Sequence, residues 1–172
     1  MAHVCRKGGV KIMAWSVLEN ISASSKWLKR KTELIEQKEQ LILRKNAMGS
    51  SQIVQAYRGA IFDAELGEGN IGGEKNKTRP VLVISPNRLN KGHTVVVVPL
   101  STKFKLNQNG LPKYRNHYLL KQSNYSFLVQ DSVIKFEDIR SIDVVRLRQL
   151  RGNISIDDMH RMEKNLKFTC GY

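Results

Sequence analysis

The residues of this chain that could do chemistry lie around one short basic segment. Glu74 and two lysines lead into Arg79, and an apolar run at residues 80–85 follows. The planar guanidinium of Arg79 can hold two phosphate oxygens at once, and Pro80 stiffens its entry into a strand. Glu74, five residues upstream, can accept a proton. The same two residues could equally form a surface ion pair, so the segment alone leaves both interpretations open.

Short apolar runs between turn residues predict the elements that position these groups. We expect strands at residues 57–66, 80–85, 94–100, 114–120, 127–136 and 140–143, with loops at 67–78 and 101–113. Ser155, with Asp158 three residues on, begins a terminal amphipathic helix that stops at Gly171. Its apolar face is expected to carry Ile156, Met159, Met162 and Leu166. This order predicts an α+β fold, a small antiparallel β-barrel or sandwich with a C-terminal helix.

The N-terminal part is predicted to be a separate basic helix from Ser25 to about Asn46. Pairs of apolar residues recur there every seven positions, at Trp27-Leu28, Leu34-Ile35 and Leu41-Ile42. This spacing places them on one stripe, which we expect to pack on its own domain or on a dimer mate. The chain is accordingly divided into a helical extension at residues 1–50, a linker at 51–56 and a strand-rich domain at 57–172.

Charge points to a polyanionic partner. The 172 residues hold 29 Lys and Arg against 15 Asp and Glu, a net charge of +14. Residues 1–50 contribute 10 basic and 4 acidic side chains, and the rest contribute 19 and 11, so both parts are basic. Such a surplus favours association with nucleic acid or an anionic membrane surface, and it says nothing about fold. The sequence has no apolar run of the roughly 18 residues that span a bilayer, so we expect no membrane association.

The ends of the chain give two further expectations. Cys5 and Cys170 are too far apart in sequence to suggest a metal or disulfide framework, so a cytoplasmic location is the default. Residues 6–10, RKGGV, can be encoded by a stretch that contains a bacterial ribosome-binding sequence, with Met13 suitably downstream. We therefore interpret residues 1–12 as a translated leader and Met13 as the natural start. A weak likeness to a signal peptide is the alternative.

Four blocks of the strand-rich region resemble, in order and spacing, the MazF/PemK/Kid toxins of type II toxin–antitoxin systems. Residues 72–84, GGEKNKTRPVLVI, are similar to the family loop G-x-E-Q-x-G-x-R-P and the strand after it. The other blocks are RGAIF at 58–62, VVPLST at 97–102, and DSVI at 131–134 with IRSID at 139–143. Four positions depart from the pattern: Ala60 replaces an acid, Lys75 a glutamine, Lys77 a glycine and Ser101 a threonine.

The resemblance implies an SH3-like, MazF/Kid/CcdB-like barrel and an endoribonuclease that uses neither metal nor cofactor. The expected reaction is attack by a ribose 2′-hydroxyl on the adjacent phosphorus, which leaves a 2′,3′-cyclic phosphate and a 5′-hydroxyl. Glu74 is then the candidate base and Arg79 the group that stabilises charge on phosphorus. Ser101 would donate a hydrogen bond to the phosphate, with Thr102 as the alternative hydroxyl. A structural role for Ser101 at its strand end stays open.

The same resemblance suggests which residues contact RNA. Candidates on the basic loop and the strand end are Lys75, Lys77, Thr78, Thr102 and Lys103. Lys135 and Glu137 occupy positions where some relatives carry an arginine and an aspartate, so we expect them to bind RNA only. Aromatic side chains at Phe104, Tyr114 or Tyr125 are either stacking surfaces or core.

The resemblance also implies partners: single-stranded mRNA, a homodimer mate and a cognate antitoxin whose acidic disordered tail covers the RNA groove. The N-terminal helix lies outside the resemblance. It could extend the dimer interface, which we favour, dock on the antitoxin, or lie over the active site as a lid. The competing interpretation of the whole chain is a non-catalytic barrel that binds nucleic acid or a protein, as gyrase poisons of this fold do.

Overall fold

A computed structural model describes residues 5–48, 55–69 and 75–172, with side chains of the first helix described at 17–47. The elements in chain order are α1 (Cys5–Met48), β1 (Ala60–Glu65), β2 (Thr78–Val83), β3 (Thr94–Ser101), β4 (His117–Leu120), β5 (Ser132–Lys135), β6 (Arg140–Asp143), β7 (Leu147–Asn153) and α2 (Ile156–Cys170). Short 3-10 turns precede β6 and β7. Most of the predicted linker, residues 51–56, and part of the predicted leader lie outside the described residues.

All seven strands join one antiparallel sheet in the order β4-β5-β3-β2-β1-β7, and β6 also pairs with β3. β3 is central because its valine-rich sequence is buried along both faces. Leu82, Val98 and Ile134 lie in a core on one face, and Val81, Val83 and Val97 lie in a core on the other. The predicted antiparallel fold with a C-terminal helix is confirmed. Among the described helices, none is long and apolar enough to cross a membrane.

Strand boundaries differ from the expectation in two places. The predicted strand at residues 127–136 is limited to Ser132–Lys135, and the predicted strand at 114–120 begins at His117. β7 was not predicted at all. Its sequence, LRQLRGN, is mostly exposed and lacks alternating apolar residues, so pairing with β1 rather than its own pattern defines it.

Helix α2 is fixed by its caps and by one buried carboxylate. Ser155 Oγ accepts a hydrogen bond from the Asp158 backbone nitrogen at 3.1 Å, and Gly171 ends the helix in the left-handed region, as predicted. The Asp158 carboxylate accepts hydrogen bonds from the hydroxyls of Tyr118, at 2.5 Å, and Tyr125. Burial, and then the bond to Asp158, raises the pKa of Tyr118. Ile156, expected on the apolar face, is exposed.

Helix α1 is longer than predicted because residues 10–24 contain neither glycine nor proline to stop it. The predicted stripe is covered unevenly, with four of its six residues buried or half-buried. Leu34 is 4% exposed and packs against the chain's own strand-rich part, whereas Leu28 is 66% exposed and Ile35 is also exposed. Leu28 and Ile35 are thus the members of the stripe that this chain leaves exposed, and cover by a dimer mate stays a prediction.

Charged contacts hold α1 against the sheet beside the buried Leu34. Arg30 donates through Nε and Nη2 to the two oxygens of Glu65 at 2.9 and 3.0 Å. Lys38 forms an ion pair with Asp143, the last residue of β6. Hydrogen bonds to Glu33, then to Glu65, raise the pKa of Arg30, so this guanidinium stays charged. Within the described part of the chain, α1 thus packs on the strand-rich region.

Candidate active site

The β1–β2 hairpin presents the basic segment at its open end. The last strand pair is Glu65 opposite Thr78, and the Leu66 nitrogen then donates to the Lys77 carbonyl oxygen at 3.0 Å. The Lys77 nitrogen donates to the Gly67 carbonyl oxygen at 2.5 Å, which closes the hairpin. Residues 70–74 are outside the described residues. The position of Glu74, the candidate base, therefore stays a prediction.

Lys77 adopts the left-handed backbone conformation that the family loop reserves for glycine. Its φ is +63°, and it is the only non-glycine residue of the described chain with a positive φ. A side chain costs about 1–2 kcal/mol in this region because Cβ crowds the backbone. Lys77 therefore bears backbone strain at the exposed end of the hairpin, in a conformation that glycine adopts without this cost.

Replacing Lys77 with glycine is expected to raise the free energy of unfolding by about 1 kcal/mol, because the strain is relieved. Chemical denaturation of both proteins at one ionic strength measures the difference. Lys77→Ala is the matched control, since it removes the charge and keeps Cβ. An equal gain for Lys77→Ala would show that charge repulsion, not backbone strain, is relieved.

Arg79 lies at the start of β2 with its side chain half-buried. Its Nε donates to the Asn76 carbonyl oxygen at 2.7 Å, which turns the guanidinium back over the hairpin end. Among the described residues no carboxylate forms an ion pair with it, so the two Nη groups can still serve a phosphate. A half-buried arginine held by a backbone carbonyl is partly preorganised for an anion.

The strand register brings Arg79 and Ser101 together. Val81 of β2 lies opposite Pro99 of β3 in an antiparallel ladder. Arg79 and Ser101 each lie two residues beyond this last pair, at the same end of the two strands, and the alternation of side chains puts both on the face of Val81 and Pro99. Lys135 and His117, which face each other across β4 and β5, lie on that face as well by the same alternation.

The hydroxyl of Ser101 is occupied locally. Ser101 is 8% exposed, its Oγ accepts from the Lys103 nitrogen at 3.2 Å, and it lies 3.3 Å from the Lys103 carbonyl oxygen. The second contact is long, so the hydroxyl proton can turn to a phosphate oxygen while the first is kept. Thr102 and Lys103 are exposed. Both the chemical and the structural role of Ser101 remain open.

Ser101→Ala is expected to lower the cleavage rate about 10²-fold, the usual effect of removing one donor to a developing oxyanion. Thr102→Ala, the neighbouring hydroxyl on the opposite face of the strand, is expected to change it less than about threefold. Single-turnover cleavage of one RNA by both variants tests this. The reverse ranking would assign the functional hydroxyl to Thr102.

A second basic residue approaches the hairpin from β6. Arg140 Nη1 donates to the Lys75 carbonyl oxygen at 3.2 Å, and the Lys75 ammonium lies 3.5 Å from Asp138. Sequence reasoning did not assign Arg140 to the site, although the IRSID block contains it. A cleft of about 540 Å³ runs beside it, lined by residues 137–142 and Arg146. We call this the Arg140 cleft.

Lys135 and Glu137, the other two residues predicted to bind RNA, are near this cleft. The carboxylate of Glu137 is already held by neighbouring side chains. The Glu137 carboxylate accepts from Asn116 Nδ2 at 2.7 Å and lies 2.8 Å from His117 Nε2. Both of its oxygens thereby fix the start of β4, which suits a structural role better than RNA contact.

Of the aromatic candidates, Tyr125 is buried in the core, Phe104 is half-buried, and Tyr114 is exposed with its ring edge-on to His117.

Comparison with known proteins fits this geometry. Residues 57–169 match the family model of the PemK-like, MazF-like toxin of type II toxin-antitoxin systems. A relative from Staphylococcus saprophyticus, named endoribonuclease MazF, is 30% identical over 114 residues, which are 66% of this chain and 90% of the relative. The matched region holds β1 to β7 and most of α2, and α1 precedes it.

Solved structures agree in fold. MazF from Deinococcus radiodurans in its Form-I crystal has a TM-score of 0.55 at 20% identity, over 69% of this chain and 99% of that chain. An endoribonuclease in complex with its cognate antitoxin, from a mycobacterial species, has a TM-score of 0.52 at 20% identity, over 67% and 95%. The family model covers residues 57–169, which include the Arg79 hairpin and most of α2. The protein therefore belongs to the PemK-like, MazF-like toxins of type II toxin–antitoxin systems.

Proposed function

We propose that this toxin is an endoribonuclease that cuts single-stranded mRNA at specific sequences, without a metal ion. The ribose 2′-oxygen attacks phosphorus and loses its proton to a base, and the bond from phosphorus to the 5′-oxygen breaks as that oxygen gains a proton. The products are a 2′,3′-cyclic phosphate and a 5′-hydroxyl. The observation that carries the proposal is the half-buried Arg79, held at Nε by the Asn76 carbonyl oxygen, two residues beyond the last β2–β3 pair of Val81 opposite Pro99.

In this scheme Arg79 stabilises the negative charge that develops on the phosphorane oxygens. It is a poor proton donor, because a guanidinium rarely loses its proton in a protein. Glu74 is the proposed base and Ser101 a hydrogen-bond donor to the phosphate. Arg140, whose guanidinium reaches the same hairpin, supplies a second positive charge beside the cleft.

RNA contacts are proposed along the hairpin end and the end of β3. Lys77, Thr78, Thr102 and Lys103 are exposed there, and Lys75 contributes its ion-paired side chain at the rim. Lys135 extends the positive surface towards β4, while Glu137 acts by holding His117. Such a surface suits an unstacked strand, whose phosphates are accessible to lysines and whose bases are free to stack.

The same basic surface is proposed to receive the acidic tail of a cognate antitoxin. One solved structure of this fold is described as an endoribonuclease in complex with its cognate antitoxin. A net charge of +14 favours rapid association with such a tail. We further propose that the toxin works as a cytoplasmic homodimer.

Incubation of the pure protein with a long unstructured RNA in EDTA tests the proposed activity. We expect cuts at a short recurrent sequence, with fragments that carry a cyclic phosphate at one end and a hydroxyl at the other. The absence of cleavage by a folded protein that still binds the RNA would favour the non-catalytic barrel instead.

A further inference from the structure

A basic segment of α1 is not used by the proposed cleavage site. Residues 26–31, KWLKRK, hold four positive charges and a tryptophan within two turns of helix. Lys26 and Lys29 are exposed, and Trp27 is half-buried. Basic residues interleaved with an aromatic ring are typical of surfaces that bind single-stranded nucleic acid. Because α1 precedes the region that matches the toxin family, this segment lies outside the family model.

The docking of α1 places this segment against the hairpin that carries Arg79. The bond pair from Arg30 to Glu65 fixes the helix at the last residue of β1. One turn earlier, the helix touches Gly69 so closely that a Cβ there would lie 2.1 Å from Ser24 Oγ. The helix and the hairpin loop are therefore in direct contact along this edge.

A cavity of about 370 Å³ opens between the two elements. It is lined by Lys26, Trp27 and Arg30 from α1, and by Glu65, Lys77 and Thr78 with neighbouring loop residues. Its size lies in the range of about 300–1,000 Å³ that small-molecule sites occupy, which is enough for a nucleotide. Thr78, on its wall, is the residue immediately before Arg79.

The charge around this cavity favours an anion. Glu65 lies in the lining, but its carboxylate is shared by Arg30 and Arg148. Glu68 is the remaining acid of the lining, against Lys26 and Lys77. The balance among the lining residues is therefore positive, and two lysines share the cavity with the ring of Trp27, the combination of charge and aromatic surface that single-stranded nucleic acid favours.

Arg146 connects this cavity to the Arg140 cleft. Its guanidinium lies 4.9 Å from the centre of the Trp27 ring, and the same residue lines the cleft. Burial lowers the pKa of Arg146, whose ordinary value is so high that the charge is kept. A positive surface thus continues from Arg140, along Arg146, to Trp27 and Lys26.

We propose that Lys26 and Trp27 of α1, together with Lys77 of the hairpin, form a second contact site for the RNA strand, which lies partly outside the region that matches the toxin family. Thr78 and Arg79 are adjacent in β2, so their side chains point to opposite faces of the sheet. In the proposed arrangement the RNA crosses from one face to the other over the hairpin end, at Lys77. Nucleotides flanking the cut phosphate then reach the cavity, where Trp27 stacks one base and the lysines contact phosphates. The identity of the ligand rests on the proposed function.

Binding of a fluorescent, 2′-fluoro-substituted single-stranded RNA tests this site apart from catalysis, because such RNA has no 2′-hydroxyl to attack. With Lys26→Ala we expect about fivefold weaker binding at low salt and a salt slope shallower by about 0.7, the value of one phosphate contact on a single strand. With Trp27→Leu we expect about tenfold weaker binding at every salt concentration, since stacking is lost and charge is kept. Thermal unfolding of each variant confirms that α1 stays docked.

Arg44→Ala is the matched control, because Arg44 is exposed on the same helix about 27 Å from Lys26 along its axis. Equal effects of Lys26→Ala and Arg44→Ala, or none, would overturn the assignment. So would a loss of affinity for a poly-glutamate peptide while RNA binding is unchanged, since the cavity would then take an acidic tail. Cleavage of ordinary RNA is scored separately, so a failed nuclease assay with the expected binding pattern refutes the proposed function alone.

Discussion

Replacement of Arg79 by alanine is expected to reduce RNA cleavage by at least about 10³-fold while the protein stays folded. The loss is large because a preorganised guanidinium acts on charge that exists only in the transition state. The cost in stability is small, since Arg79 is half-buried and donates its hydrogen bond to the Asn76 carbonyl oxygen at the hairpin end. Single-turnover cleavage, with thermal unfolding measured in parallel, checks both parts.

Two further variants sharpen the assignment of Arg79. Arg79→Lys keeps the charge and loses the planar fork, so an intermediate loss of about 10²-fold is expected. Arg88→Ala removes an exposed arginine from the turn before β3 and is expected to leave the rate unchanged within about threefold. Undiminished cleavage by Arg79→Ala would exclude Arg79 from the chemistry. An equal loss for Arg88→Ala would indicate general charge binding instead.

The candidate site could be predicted from sequence where it depends on local pattern. Arg79 before Pro80 and an apolar run defines the start of β2, and the valine run before Ser101 defines the end of β3. The caps Ser155 and Gly171 similarly define α2, since each satisfies backbone groups of its own helix end. In these cases the residues that specify the structure lie within a few positions of the element itself.

Features that depend on distant contacts could not be predicted in this way. Arg140 reaches the site by donating to the carbonyl of Lys75, which is 65 residues earlier in the chain. Glu137 was assigned to RNA binding, but its carboxylate meets Asn116 and His117 from another strand. Lys77 is a different case. Its backbone is left-handed although the residue is not the glycine that would signal this conformation in the sequence. In each case tertiary contacts decide what the local sequence leaves open.

The sequence did not predict where α1 packs, and this is the largest feature of the structure that it left open. The packing of α1 leads to the second prediction with a large expected effect. Leu34→Ala is expected to lower the stability of the docked helix by about 2–3 kcal/mol, because a side chain that is 4% exposed is lost from its contact. Both tryptophans of the chain, Trp15 and Trp27, lie in α1. Tryptophan fluorescence during urea denaturation therefore reports this element directly.

Leu28→Ala is the matched control. It makes the same substitution on the same helix, at a leucine that is 66% exposed. If α1 serves mainly to pack on its own chain, this change should cost less than about 0.5 kcal/mol and be independent of protein concentration. If the helix also extends a dimer interface, the exposed residues Leu28 and Ile35 are the ones a second copy would cover. A destabilisation by Leu28→Ala that grows with protein concentration would show that a second copy covers this residue, and packing on its own chain would not be the main function of the helix.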